Sequence, residues 1–228
     1  MIFVYFLFLG LLYLLFVFLW AAYFGLWSKV LSKKLHVFKH QQEKNHKKIL
    51  VIGDSAVRGV GVTDPQDSLP GLIKKNTMDC QVQVCALDGA RCSEVLGSLH
   101  TLKETSGKNC DQVVIFCGGM DVIKFTSNQN IEHDIQELFY QAKLITSNVV
   151  FISPPNVGNA PIFLPPLSNL YSYRSEIFYT ISKKCAQEHG VTFVDYFHTV
   201  NTHYAQDKSH PDKVGYLNLF SMFKMHLV

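Results

Sequence analysis

The first 27 residues, MIFVYFLFLGLLYLLFVFLWAAYFGLW, contain no charged side chain. Such a stretch makes a poor surface helix, because apolar side chains would meet water on every side. Coiled as a helix it extends roughly 40 Å, against ~30 Å for a bilayer core, so it can span with tilt. A secretory signal opens on basic residues and carries an apolar stretch of only ~7–15 residues. Here the first lysine is Lys29. The expectation is one uncleaved transmembrane anchor over residues 1–27, with a cleaved signal and a buried core helix as the alternatives.

The segment after the anchor is basic. Residues 28–48 hold Lys29, Lys33, Lys34, Lys39, Lys44, Lys47 and Lys48 against the single acid Glu43. Basic flanks stay cytoplasmic, so the reading is a single-pass membrane protein with a 28–47 linker and a cytoplasmic domain over 48–228. Residues 49–228 keep fourteen basic and seventeen acidic residues, so the chain's net +3 belongs to the basic segment 28–48. An acidic balance argues against a nucleic-acid partner. The linker can touch anionic headgroups or serve only to set topology. His36, His40 and His46 lie in it with Glu43 the single acid and no cysteine nearby, and read as solvated residues rather than a metal site.

Six cysteines, at 80, 85, 92, 110, 117 and 185, show no C-x-x-C spacing, so neither a zinc site nor a thioredoxin-type motif is indicated. They are expected to be reduced and structural, with Cys117 inside the apolar run VVIFCGG as a small core residue.

Beyond the linker, short apolar runs rich in β-branched residues recur at 48–53, 82–87, 112–119, 148–155 and 191–197. They are nearly continuous rather than alternating, as strands covered on both faces are. Helical periodicity fills 93–105, 131–146 and 175–190, and a last helix is expected after Pro211. Strands alternating with helices argue for a parallel sheet between two helical layers, a three-layer α/β/α domain. In such sheets function gathers at the carboxyl ends of the strands. Those ends here carry Gly53-Asp54-Ser55, Gly89, GGMD (118–121), SPPN (153–156) and DKSHPD (207–212).

A serine hydroxyl needs a base to become a nucleophile, and the base works best when a third group orients it. Ser55 supplies the hydroxyl and His210 the imidazole. Asp207, three residues before that histidine, can reach it within one turn. The backbone N–H groups of Ser55 and Gly89 can receive a developing oxyanion, since glycine admits close approach. Two other motifs are excluded. GVGV (59–62) lacks the third glycine of a dinucleotide fingerprint at Asp64, and Val57 stands where a G-x-S-x-G elbow needs glycine.

IGDSAVRGVGV, ALDGARCSEVL, GGMDV and DKSHPDKVGY, in that order over about 48–226, resemble the four blocks of the SGNH-type, or GDSL, hydrolase family. The resemblance implies a flavodoxin-like fold and hydrolysis of carboxylic esters or thioesters, with neither metal nor cofactor. It implies Ser55 as nucleophile, Asp207 and His210 as its partners, and Gly89 as an oxyanion donor. SPPNVGNAPIFLPPL also resembles the proline-rich loop after the fourth strand in some members. One block departs: the family carries asparagine in Gly-x-Asn-Asp, and this chain has Met120. A lost oxyanion donor costs roughly 10²–10³ in rate. The readings are a slower enzyme, substitution by another donor such as Asn156, or a catalytically silent relative.

Ile162, Phe163 and Leu164, between prolines, are candidates to line an acyl pocket, or else pack as an ordinary loop; Asp195 is expected to be a hydrogen-bonded turn residue. The function expected is that of a membrane-anchored ester hydrolase acting on a small-molecule ester or acyl substrate, with a slight tilt toward lipid-derived ones. An acyltransferase using the same acyl-enzyme and a binding module for an acyl ligand are the alternatives. The sequence does not indicate an oligomeric state.

Overall fold

The structure is a computed structural model that describes residues 2–34, 47–77, 80–106, 110–199 and 202–228. His36, His40 and His46, with most of the basic linker, lie outside the described residues. Helix α1 runs over Ile2–Lys34, continuing beyond residue 27 because no proline or C-terminal glycine stops it. Within it Val4–Lys33 is long and apolar enough to cross a membrane.

The domain beyond it is built strand by strand. Strand β1 (Lys47–Gly53) leads into the short helix α2 (Ser55–Arg58). Helix α3 (Leu69–Asn76) precedes β2 (Cys80–Ala86), and α4 (Cys92–Ser106) precedes β3 (Gln112–Phe116). Then come α5 (Gly119–Ile123), α6 (Asn128–Lys143), β4 (Val149–Ile152) and α7 (Leu167–Glu188). Strand β5 (Thr192–Val194) and helix α8 (Lys213–Phe223) complete the domain. All four strand pairings are parallel, in the order β2-β1-β3-β4-β5.

Alternation along β1 divides the core. Leu50 and Ile52 face α4, α6 and α7, packing with Leu99, Leu138 and Phe178. Ile49 and Val51 face α3 and α8, packing with Leu72, Leu219 and Phe223. From Ile49 on, β1, and all of β3 and β4, are thus buried on both faces, which is why their sequences run apolar. The edge strand β2 keeps Gln81 and Gln83 half-exposed. This is the three-layer α/β/α, flavodoxin-like arrangement expected. Cys117 sits within the core at 1 % exposure.

The strand order reverses between β1 and β3, and there the loops leaving two neighbouring strands diverge, opening a crevice at the sheet's carboxyl edge. The separation is very tight at Gly53, where a Cβ would lie 1.9 Å from the Phe116 carbonyl oxygen. Only glycine lets β1 and β3 end side by side at that point.

Candidate active site

Ser55 is the first residue of α2, directly after the β1 strand end. Asp54 caps that helix, its carboxylate accepting from the Ala56 N–H at 2.9 Å. Tyr216 of α8 holds the other end, its buried hydroxyl 2.9 Å from the Ala56 carbonyl oxygen and 2.8 Å from that of Val60. Tyr216→Phe leaves those carbonyls short of a donor, at a cost of about 1–3 kcal/mol. A fall in the urea midpoint, with kcat reduced more than KM, is the expected result; an unchanged midpoint would show that the clamp is not needed.

The loop between β5 and α8 brings the other two groups. His210 Nε2 lies 2.8 Å from Ser55 Oγ, and its Nδ1 lies 2.5 Å from Asp207 Oδ2. The second Asp207 oxygen accepts from the N–H groups of Ser209 and His210, both at 3.1 Å. Asp207 is fully buried. Burial would raise its carboxyl, but the His210 hydrogen bond and charge, with the two backbone N–H groups, hold it below the ordinary value. An ionised carboxylate there fixes the tautomer with a proton on Nδ1, leaving Nε2 free to accept from the serine. The loop closes on itself through Ala205 N–H to the His210 carbonyl, 2.8 Å.

Asp54, beside the serine, behaves in the opposite way. Burial pushes its carboxyl up to about 6, against the Ala56 N–H and the charge of His210, both of which lower it. A raised acid pKa favours the native state only where the group is protonated. Native stability should therefore fall as pH rises from about 3.8 to about 6 and level off above, by at most ~3 kcal/mol. Asp54→Asn keeps the cap without the charge, so its advantage over the wild type should grow across that window in urea titrations. A constant difference from pH 4 to 7 would contradict this.

Gly89 follows β2 with φ +67° and open space where a Cβ would stand. Three contacts hold its loop. Lys124 donates to the Gly89 carbonyl at 2.8 Å, Arg58 pairs with Asp88, and Asp121 accepts from Cys92 N–H at 2.9 Å. Asp121, fully buried with its carboxyl raised by that burial, joins the turn after β3 to the start of α4. Sequence reasoning gives no role to Lys124, Arg58 or Asp121; the GGMD motif contains only the last. Met120 is half-buried on α5, at the same turn.

Asn156, half-buried after β4, spends its carbonyl oxygen on Gly158 N–H at 3.0 Å, which leaves its amide nitrogen able to donate elsewhere. Ile162 is buried, and its N–H bonds to the Lys208 carbonyl at 3.2 Å, so the proline-rich loop is joined to the Asp207–His210 loop. Phe163 packs on Tyr171 at 4.4 Å between rings, and Leu164 is half-buried beside it. Asp195 is away from this group, accepting from Tyr179 OH and pairing with His198 at 2.7 and 2.8 Å. Among the described residues no cluster of three or more metal-binding side chains occurs.

This fold and edge have relatives. Residues 51–217 match the model of the GDSL-like lipase/acylhydrolase family. The chain belongs to that family, a family of ester hydrolases. Solved structures with the same fold include that of TesA, at 20 % identity and a TM-score of 0.65, covering 79 % of this chain and 98 % of that one. The lipase/acylhydrolase from Enterococcus faecalis is 19 % identical with a TM-score of 0.62, over 78 % of this chain and 93 % of that one. A carbohydrate acetylesterase family member from Sinorhizobium meliloti is 19 % identical with a TM-score of 0.60, over 79 % and 96 %. A comparison with curated protein sequences found no match.

Proposed function

We propose that the protein is a membrane-anchored serine hydrolase that cleaves carboxylic esters or thioesters through an acyl-enzyme. The observation that carries this is the continuous hydrogen-bonded chain from Ser55 Oγ through His210 to the buried Asp207. His210 Nε2 takes the Ser55 proton as Oγ attacks the ester carbonyl carbon. The carbonyl oxygen becomes an oxyanion received by the N–H groups of Ser55 and Gly89, with Asn156 the candidate third donor. Collapse expels the alcohol, protonated by His210, and leaves Ser55 acylated. Water, deprotonated by the same imidazole, attacks the acyl carbon and releases the acid and a free serine. Ile162, Phe163 and Leu164 would line the acyl side. Wild-type protein should label with a fluorophosphonate, and a hydrolysable ester should protect it; a chain that neither labels nor turns over ester is not this enzyme.

The division proposed is an anchor over 1–27, a linker over 28–47 and the hydrolase domain over 48–228. The basic flank keeps that domain cytoplasmic. A reporter that works only in the cytoplasm should be active when fused after Val228, and an active exported reporter instead would reverse the orientation.

A further inference from the structure

Helix α1 does not stand clear of the domain. Tyr13 donates its hydroxyl to the Pro165 carbonyl at 2.9 Å, and Trp20 its indole N–H to the Pro161 carbonyl at 3.3 Å. Val17, between them on the helix, is 1 % exposed. One turn on, the Lys208 ammonium lies 5.7 Å from the Trp20 ring and 5.2 Å from that of Phe24. Near the helix end, Ser32 donates to Asp88, and its carbonyl accepts from Arg58 at 3.1 Å. Positions 13, 17, 20, 24 and 32 recur at helical spacing, so they form one stripe. From Tyr13 to Ser32 that stripe is about 28 Å long.

Everything the stripe touches belongs to one edge of the domain. Pro161 and Pro165 bracket the loop after β4, and Lys208 lies between Asp207 and His210. Asp88 precedes Gly89, and Arg58 ends α2. Away from the stripe α1 is bare, with Leu12, Leu15, Phe16, Leu19 and Leu26 exposed. The domain adds exposed apolar side chains of its own: Leu87 two residues before Gly89, Phe125 after α5, and Leu170 in the first turn of α7.

We propose that this catalytic edge is the domain's bilayer-docking face, so that the ester it hydrolyses is a membrane-resident one that enters from the lipid. The substrate rests on the hydrolase reading above; the docking face does not. A helix that is apolar through Trp27 wherever the domain leaves it uncovered, with exposed Lys29 and Lys33 only at its end, belongs at a lipid surface. With α1 lying along the bilayer surface, contacts from Tyr13 to Ser32 bring the edge there with it. The two polar tips agree with this. An O–H or N–H left unpaired in hydrocarbon is costly, and those of Tyr13 and Trp20 both end on carbonyls of the proline-rich loop. A basic group beside an apolar patch suits phosphate headgroups, and Lys208, over the Trp20 and Phe24 rings, supplies one at this edge.

The test uses the full chain in vesicles of phosphatidylcholine and phosphatidylglycerol, with or without bromine on the acyl chains. Both tryptophans, Trp20 and Trp27, lie in α1, so replacing them with phenylalanine makes a single introduced tryptophan the reporter. Leu170→Trp reports on the docking edge. Met225→Trp, at a residue 80 % exposed, reports on the opposite edge, where the neighbouring His226 carbonyl accepts from Gln112 at the start of β3. Bromine should quench the first at least twofold and leave the second unchanged. Equal emission from both, with and without bromine, would overturn the docking face.

A second measurement needs no tryptophan exchange. Leu170→Glu combined with Phe125→Glu should lower turnover of a long-chain ester carried in vesicles about tenfold, with soluble p-nitrophenyl acetate changed less than twofold. Equal losses on both esters would overturn lipid-side entry. Quenching at position 170 in a chain that hydrolyses no ester would remove the substrate and the hydrolase reading but keep the docking face. Hydrolysis of the soluble ester without quenching would keep the hydrolase reading and remove both the docking face and the membrane-resident substrate.

Discussion

Replacing Ser55 with alanine should lower kcat for p-nitrophenyl acetate by at least ~10⁴-fold and abolish fluorophosphonate labelling. Loss of a nucleophile or its base in a triad of this kind removes up to ~10⁶, the residue of activity coming from the oxyanion donors and binding. The fold should survive, because the hydroxyl bonds to His210 while the helix cap belongs to Asp54. His210→Ala should lose a similar factor. Asp207→Asn is the more discriminating variant. It retains an oxygen for the N–H groups of Ser209 and His210, so the loop keeps its turn. Its amide, however, would donate toward Nδ1 and favour the wrong tautomer, for a loss of about 10⁴. Labelling that persists in Ser55→Ala would place the nucleophile elsewhere, and wild-type rates in Asp207→Asn would reduce the triad to a serine–histidine pair.

Met120→Asn should raise kcat by up to ~10²-fold with little change in KM. A thioether offers no donor, so in the mechanism proposed the oxyanion rests on the backbone N–H groups of Ser55 and Gly89. Helix α5 is already joined to the Gly89 loop by two residues just after position 120. Asp121 holds the Cys92 N–H, and Lys124 holds the Gly89 carbonyl. An amide placed next to those anchors would meet charge that forms fully only in the transition state, which is why the effect falls on kcat. Steady-state kinetics on a short-chain ester read it directly. An unchanged or lower kcat would show the hole to be complete already. Asn156 is then the donor to test, since its amide nitrogen is not used in capping, and Asn156→Ala should be the variant that loses rate.

Much of this is legible along the chain. The central strands β1, β3 and β4 appear as apolar runs because a strand covered on both faces needs apolar residues at both parities. Helix α1 appears, through Trp27, as an uncharged stretch, the composition a segment in contact with lipid requires. Ser55 and the Asp207–His210 pair are visible because their chemistry sets residue types at short spacings. Local signals also fail in places. The short helix α3 and the first turns of α7 escape them, since both open among prolines and glycines that read as loop; Ser68 in fact caps α3 through the Gly71 N–H at 3.3 Å.

How distant segments meet is not legible in the same way. Nothing local says that the hydroxyl of Tyr216 will close on carbonyls 160 and 156 residues earlier, or that Trp20 will donate to Pro161. Nor does spacing foretell that Lys124 will support Gly89 rather than remain a solvated surface charge. Periodicity and turn chemistry act over three or four residues, so they write themselves into the order of side chains. A contact between remote segments is set by strand order and by which helix covers which face. The reversal between β1 and β3 therefore had to form before Ser55, Gly89, Met120 and His210 could share one edge, with α1 lying across it.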